Sequence, residues 1–144
     1  MTPKLFIDSD VVIDFFTDRA PHASPASELF DLNEKGKVKL YLSAISINNI
    51  YYIVRRYLGH NKALEVVEEL TDMAEIVGTT EKEIKQALRN DFKDYEDSVQ
   101  YSTALTIDGI EAIITRNTKD YKNSEIAVLT PLNYLQMKDG NERK

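Results

Sequence analysis

The stretch Leu5 to Phe16, LFIDSDVVIDFF, sets Asp8, Asp10 and Asp14 inside a strongly apolar segment. An unpaired carboxylate is costly to bury, so these acids need a partner, a cation or solvent. Three later groups carry further candidates: Ser46, Asn48 and Asn49; Asp94, Glu96 and Asp97; and Thr115, Asn117 and Asp120, with Arg116 and Lys119 between them. Clustered carboxylates raise one another's pKa unless a divalent cation neutralises them. Magnesium accepts a few carboxylates and keeps waters, leaving positions for a substrate phosphate. Such a metal can activate a water and stabilise charge on a phosphodiester. The chain has no cysteine and only two histidines, His22 and His60. Thiolate zinc sites, a cysteine nucleophile and multi-histidine sites are therefore excluded, and oxygen ligands favour Mg2+, Mn2+ or calcium over zinc.

The elements that must position these residues are legible from punctuation and periodicity. KLFID reads as a first strand, followed by a short helix from about Ser9 to Thr17. Ser24 and Pro25 supply an N-cap and first position for a helix that runs to about Lys35, with Gly36 as its stop. VKLYLS is a second strand, and Ser46 is the expected cap of INNIYYIVRRYL, which ends at Gly59. Asn61 opens a helix through about Met73, EIVG is a third strand, and TEKE (80–83) is a capping box. A long helix is expected from about Asp94 to Asp108, then strands at AIIT and IAVLT, and a last helix from Pro131.

Short apolar strands alternating with helices predict a single α/β domain over residues 1–144, a three-layer α/β/α sandwich around a mainly parallel five-stranded sheet. Ligands of such sheets bind beyond the carboxyl ends of the strands. All four polar groups fall at that rim.

At about 100° per residue, Asp94, Asp97, Tyr101, Ala104 and Leu105 share the inward face of the long helix, with Glu96 to the side. Asp8 and Asp94 also read as helix caps, and Asn117 and Asp120 as turn formers. Asp10 and Asp14 lie four apart on one helical face, and Asp14 reads as an ordinary solvated acid. Arg116 and Lys119 read either as contacts to a phosphate backbone or as solvated loop charges.

Composition bounds the class. Apolar residues make up 42%, enough for a folded core. The amino terminus lacks the regions of a secretory signal and no apolar run reaches a membrane span of roughly 20 residues, so a cytoplasmic protein without membrane contact is expected. The formal charge of −6 opposes passive binding of a polyanion, and bound cations or local basic residues would have to reverse the sign at a site.

FIDSDVVIDFF, LSAISINNIYYIV, DFKDYEDSVQYSTAL and AIITRNTKDY together resemble the PIN domain, the fold of VapC-type toxin ribonucleases, from about residue 4 to 130. The resemblance implies a Mg2+- or Mn2+-dependent endoribonuclease acting on single-stranded RNA, with a neighbouring antitoxin as partner and a homodimeric state. It places the family's first aspartate on Asp8, its helix aspartate on Asp97 beside Glu96, and its polar residue after the fourth strand on Asn117 or Asp120. Asp8 and Asp97 would be the metal ligands and Asp120 a third catalytic acid. Asp10, Asn49, Asp94, Glu96, Thr115 and Asn117 would support them, and Arg116 and Lys119 would meet RNA. The family's usual glutamate falls on Asn49, an amide without charge.

This departure leaves open a second reading, a PIN fold with weak catalysis that binds RNA or protein. DSDVV also fits the opening motif of haloacid-dehalogenase-like phosphatases, which need a second acidic pair closing a later strand. Apolar residues in VVIDFF and SELFDL are candidate dimer surfaces, or simply core.

Overall fold

In the computed structural model, which describes residues 1–142, five parallel strands form one sheet. They are β1 (Lys4–Ile7), β2 (Lys39–Ser43), β3 (Glu75–Val77), β4 (Ile110–Ile114) and β5 (Ala127–Leu129), in the order β3-β2-β1-β4-β5. The central strand is covered on both faces, so its run is apolar rather than alternating. Leu5 and Ile7 point to one side and Phe6 to the other, and all three are fully buried.

The larger layer holds α1 (Ser9–Phe16), α2 (Ala23–Glu34), α3 (Ala44–Leu58), α4 (His60–Met73) and α7 (Pro131–Glu142). Val11, Val12, Leu29, Phe30, Ile50, Val54, Leu70 and Tyr134 pack there against Leu5, Leu40, Leu42 and Ile114. The opposite layer holds α5 (Glu81–Ala87) and α6 (Tyr95–Ala104), with Tyr101, Ala104, Ile107 and Tyr121 closing over Phe6 and Ile113. The three-layer arrangement is the one expected. VVIDFF and SELFDL are absorbed by it: Val11, Val12, Leu29 and Phe30 are core, and Phe15, Phe16 and Leu32 pack against that core.

Local boundaries differ from expectation in three places. The cap of α3 is Ser43, whose hydroxyl accepts from the Ser46 amide at 3.0 Å, so Ser46 lies inside the first turn and is itself buried. A serine sits at both positions, and only the strand's end distinguishes them. Helix α2 begins two residues early, at Ala23, without a side-chain cap; Ser24 and Pro25 occupy its first turn, where a missing N–H leaves no helical bond unmade. Helix α6 stops at Ala104, and Leu105, expected on its inward face, is 45% exposed. The capping box at Thr80 and Glu83 forms as read. Gly59 joins α3 to α4 with φ of +88°, a conformation that side chains disfavour.

Strand order reverses at β1: the chain moves outward through β2 and β3, then crosses to β4 and β5 on the other side. The carboxyl ends of β1 and β4 therefore border the crevice where parallel sheets bind ligands. Asp8 and Thr115 are the first residues beyond those ends. No helix among the described residues is long and apolar enough to cross a membrane.

Candidate active site

Asp8 leaves β1 with its amide still bonded to the Ile114 carbonyl at 2.9 Å, which fixes its backbone to β4. Its carboxylate is gripped from both sides of the crevice. Oδ1 accepts the Ser9 amide at 2.8 Å, and Oδ2 accepts the Thr115 hydroxyl at 2.9 Å and the Tyr121 hydroxyl at 3.3 Å. Asp8 is thus both the cap of α1 and a rim carboxylate; the two readings are not alternatives. Burial raises its pKa, the hydrogen bonds from Thr115, Ser9 and Tyr121 oppose this, and the charge of Asp120 adds to the rise.

Asp97 approaches from α6. Asp94 caps that helix by accepting the Asp97 amide at 2.9 Å, so the cap holds the functional candidate in place. Asp97 is half-buried, and its pKa is pushed up to about 7 by desolvation first, then by the charges of Asp94, Asp8, Asp120 and Glu96. Asp120 is exposed on a 3-10 turn, Thr118–Tyr121, from which its charge reaches both Asp8 and Asp97. Carboxylates from β1, α6 and the segment after β4 therefore share one electrostatic neighbourhood.

Asp10 lies beside this group on α1. It accepts the Arg116 amide at 3.2 Å and the Asn117 side-chain amide at 3.3 Å. Burial and the Asp8 charge push its pKa up to about 7 in spite of these donors. Thr115 and Asn117 are linked in turn, the Asn117 amide donating to the Thr115 hydroxyl at 3.1 Å. From α3, Asn49 donates its side-chain amide to Glu96 at 3.0 Å, drawing the helix after β2 toward the head of α6.

Two placements depart from the sequence reading. Asp14 is not solvated: it is 1% exposed, and its Oδ2 lies 3.1 Å from the Arg116 Nε. The contact is an ion pair off the N–H direction, and Asp14 Oδ1 has no hydrogen-bond partner. Consequently the Arg116 guanidinium, read as a phosphate contact, turns back to α1. Asp10 takes the arginine's backbone and Asp14 its side chain, which explains their spacing of one helical turn. Tyr121 went unnoticed in the sequence although it touches Asp8; burial and the charges of Asp8 and Asp97 hold its hydroxyl protonated as a donor. Lys119 is exposed, as read.

A PIN domain family model matches residues 4–119, covering β1 through the segment that carries Thr115 and Asn117. The chain belongs to the PIN domain family. Ribonuclease VapC1 of Aquifex aeolicus (strain VF5) is 28% identical over 132 residues, spanning 88% of this chain and 90% of the relative. A DNA-bound VapBC from Salmonella typhimurium superposes with a TM-score of 0.68 at 16% identity, over 90% of this PIN domain and 99% of that chain. A toxin–antitoxin complex from Klebsiella pneumoniae gives 0.66 at 22% identity, over 88% and 97% respectively. The phosphatase reading fails on local structure, because DYED follows a loop and opens α6 instead of closing a strand.

Among the described residues of this PIN domain, no three carboxylate or imidazole side chains close into a ready-made metal cage. Magnesium does not require one, since it is commonly held by one or two carboxylates with waters completing the octahedron. The donors present are hard oxygens, and the charges of Asp94, Asp8, Asp120 and Glu96 add to desolvation in raising the Asp97 pKa, while Asp120 does the same to Asp8. Both observations fit a hard divalent cation.

The raised acids make a prediction for the metal-free protein. Asp10 and Asp97 sit near 7 against an ordinary 3.8, so the folded chain binds more protons than the unfolded one between those values. Stability should therefore fall as pH rises from about 4 to about 7 and level off above, the reverse of an acid held by salt bridges. Urea melts in the presence of a chelator would show this slope. A stability that climbed through that window would contradict it.

Proposed function

We propose that this PIN domain is a divalent-cation-dependent endoribonuclease for single-stranded RNA and the toxin of a toxin–antitoxin pair. The observation that carries the reading is the convergence of Asp8, Asp97 and Asp120, from three separate elements, on the crevice between β1 and β4. The similarity to Ribonuclease VapC1 and the likeness of the fold to that of toxin–antitoxin complexes support it.

Asp8 and Asp97 would hold Mg2+ or Mn2+, with Asp120 completing the acidic rim. Bound there, the cation would supply an activated water and offset charge developing on the phosphodiester. The chain's own residues prepare that position. Thr115 and Tyr121 orient the Asp8 carboxylate, and Asp94 fixes the first turn of α6 beneath Asp97. Asp10, held by the Arg116 and Asn117 amides, adds negative potential beside Asp8. Asn49 anchors Glu96 at the edge, so a carboxylate is held next to the position where the family's usual glutamate would stand.

The test is cleavage of a set of single-stranded RNAs by highly purified protein with Mg2+, with Mn2+ and with a chelator. Cleavage should need the cation and leave double-stranded RNA intact. The Asn49 amide favours one second reading, a PIN fold that binds RNA or a protein with little catalysis. RNA binding with no cleavage under either cation would select that reading. Replacing Asn49 by Ala should free Glu96 and lower cleavage by about 3-fold, about 0.6 kcal/mol, the low end of what one hydrogen bond contributes when it is exposed to solvent. Single-turnover rates at saturating cation would show it.

A further inference from the structure

Next to the acidic cluster lies a separate cavity of about 340 Å³, walled by the loop before α6 and the segment after β4. Lys93, Lys119 and Lys122 line it together with Phe92, and Asp94 and Asp120 belong both to its wall and to the acidic rim. The Asn123 side-chain amide donates to the Asp91 carbonyl and ties the two walls together. Phe92 forms a firm floor, stacked on Tyr101 at 4.9 Å between ring centres and edge-on to Tyr121 at 5.8 Å. The three lysines are exposed, and among the described residues none of them forms a salt bridge, whereas Lys35, Lys39, Lys62 and Lys85 are each paired with an acid. A chain of net charge −6 has thus gathered three unpaired ammonium groups around one cavity whose wall includes Asp94 and Asp120 of the acidic rim.

We infer that this cavity is the subsite for the phosphate backbone of single-stranded RNA flanking the scissile phosphate, with Lys93, Lys119 and Lys122 as its phosphate contacts. The inference rests on the endoribonuclease reading and assigns its substrate track. It also moves that track from Arg116, whose guanidinium Asp14 holds, to the opposite side of the acidic rim. Lysine acts on phosphate as a point charge, so the contact is independent of sequence. The Phe92 ring already has both Tyr101 and Tyr121 as partners, so it shapes the cavity and does not read a base.

Binding is measured by fluorescence anisotropy with a labelled single-stranded oligoribonucleotide, using the Asp97→Asn protein so that the probe stays intact. Lys93→Gln, Lys119→Gln and Lys122→Gln are combined, with Lys82→Gln and Lys85→Gln on α5 as the control. All five positions are exposed, and thermal melts confirm folding. The triple variant should bind at least tenfold more weakly and flatten the dependence of log K on log salt by about 2, given a slope of roughly 0.7 per contacted phosphate. In the otherwise wild-type protein it should raise KM while kcat changes less than about twofold, because the contacts are uniform through the reaction. A salt slope and affinity equal to those of the control would overturn the subsite even if the wild type cleaves RNA. Lysine-dependent binding with no cleavage by the wild type would keep the subsite and remove the nuclease reading. No RNA binding by the Asp97→Asn protein, together with no cleavage by the wild type, would remove both.

Discussion

Replacing Asp97 by Asn is expected to remove cleavage and stabilise the metal-free fold at once. An amide keeps the shape and keeps the backbone bond from Asp97 to its cap, Asp94, because that bond uses the amide N–H and not the side chain. What it removes is a half-buried charge that Asp94, Asp8, Asp120 and Glu96 all oppose. At pH 8 in chelator the variant should melt higher than wild type, and the decline in stability between about pH 4 and pH 7 should become shallower. RNA cleavage should fall by roughly 10³-fold, corresponding to about 4 kcal/mol of lost transition-state stabilisation.

The cation gives an independent readout. A ligand at ten times its Kd stabilises the folded state by about 1.4 kcal/mol, and for a domain of this size that is about 5 °C in Tm. Wild type should show the rise on adding Mn2+, and the Asp97→Asn protein should show little of it. An Asp97→Asn protein that was less stable in chelator, with an unchanged response to Mn2+, would make Asp97 a structural acid and remove it from the proposed metal site. Asp8→Asn is less clean, because its two oxygens hold Ser9, Thr115 and Tyr121, and an amide nitrogen cannot accept from them.

The contrast between these two aspartates shows what a sequence can and cannot carry. The rim assignment followed from a rule about chain direction: in a parallel sheet every strand end points the same way, so Asp8 and Thr115 had to share a rim, and the pairing of β1 with β4 makes them meet. Caps and glycines bounded the helices for the same local reason, and errors arose where two residues of one type competed, as Ser43 and Ser46 did. Tyr121 was hidden because it closes a short 3-10 helix in a stretch read as a turn. In a 3-10 turn residues three apart eclipse, so Thr118 and Tyr121 face one way while Asp120 faces another. Read only as a turn beyond the fourth strand, TRNTKDY gave no such periodicity to follow. The lysines of the flanking cavity come from two segments that only the fold brings together, and their own neighbourhoods in sequence look like ordinary solvated loops.

Asp14 is the hardest case, and it yields the largest expected effect on stability. Its spacing from Asp10 was visible, but the reason for burial is an arginine from the far end of the chain. Removing one partner of a buried pair typically costs about 3–5 kcal/mol, because the other charge is left desolvated. Here the Arg116 side chain is 30% exposed and has some freedom to turn to water, so Asp14→Ala should cost about 2–3 kcal/mol. A smaller stable fraction is only part of the consequence. The Arg116 amide bonds Asp10, and the neighbouring Thr115 hydroxyl bonds Asp8, so a shift of Arg116 loosens two rim carboxylates together. Cleavage per folded molecule should fall even at temperatures where the variant is fully folded. A double-mutant cycle isolates the pair: Asp14→Leu with Arg116→Met replaces both charges by apolar volume and should recover most of the stability, within about 1 kcal/mol of wild type. Chemical denaturation of the four proteins gives the coupling directly. Strict additivity of the two single losses would mean that the ion pair contributes nothing, and that Asp14 is buried for packing alone.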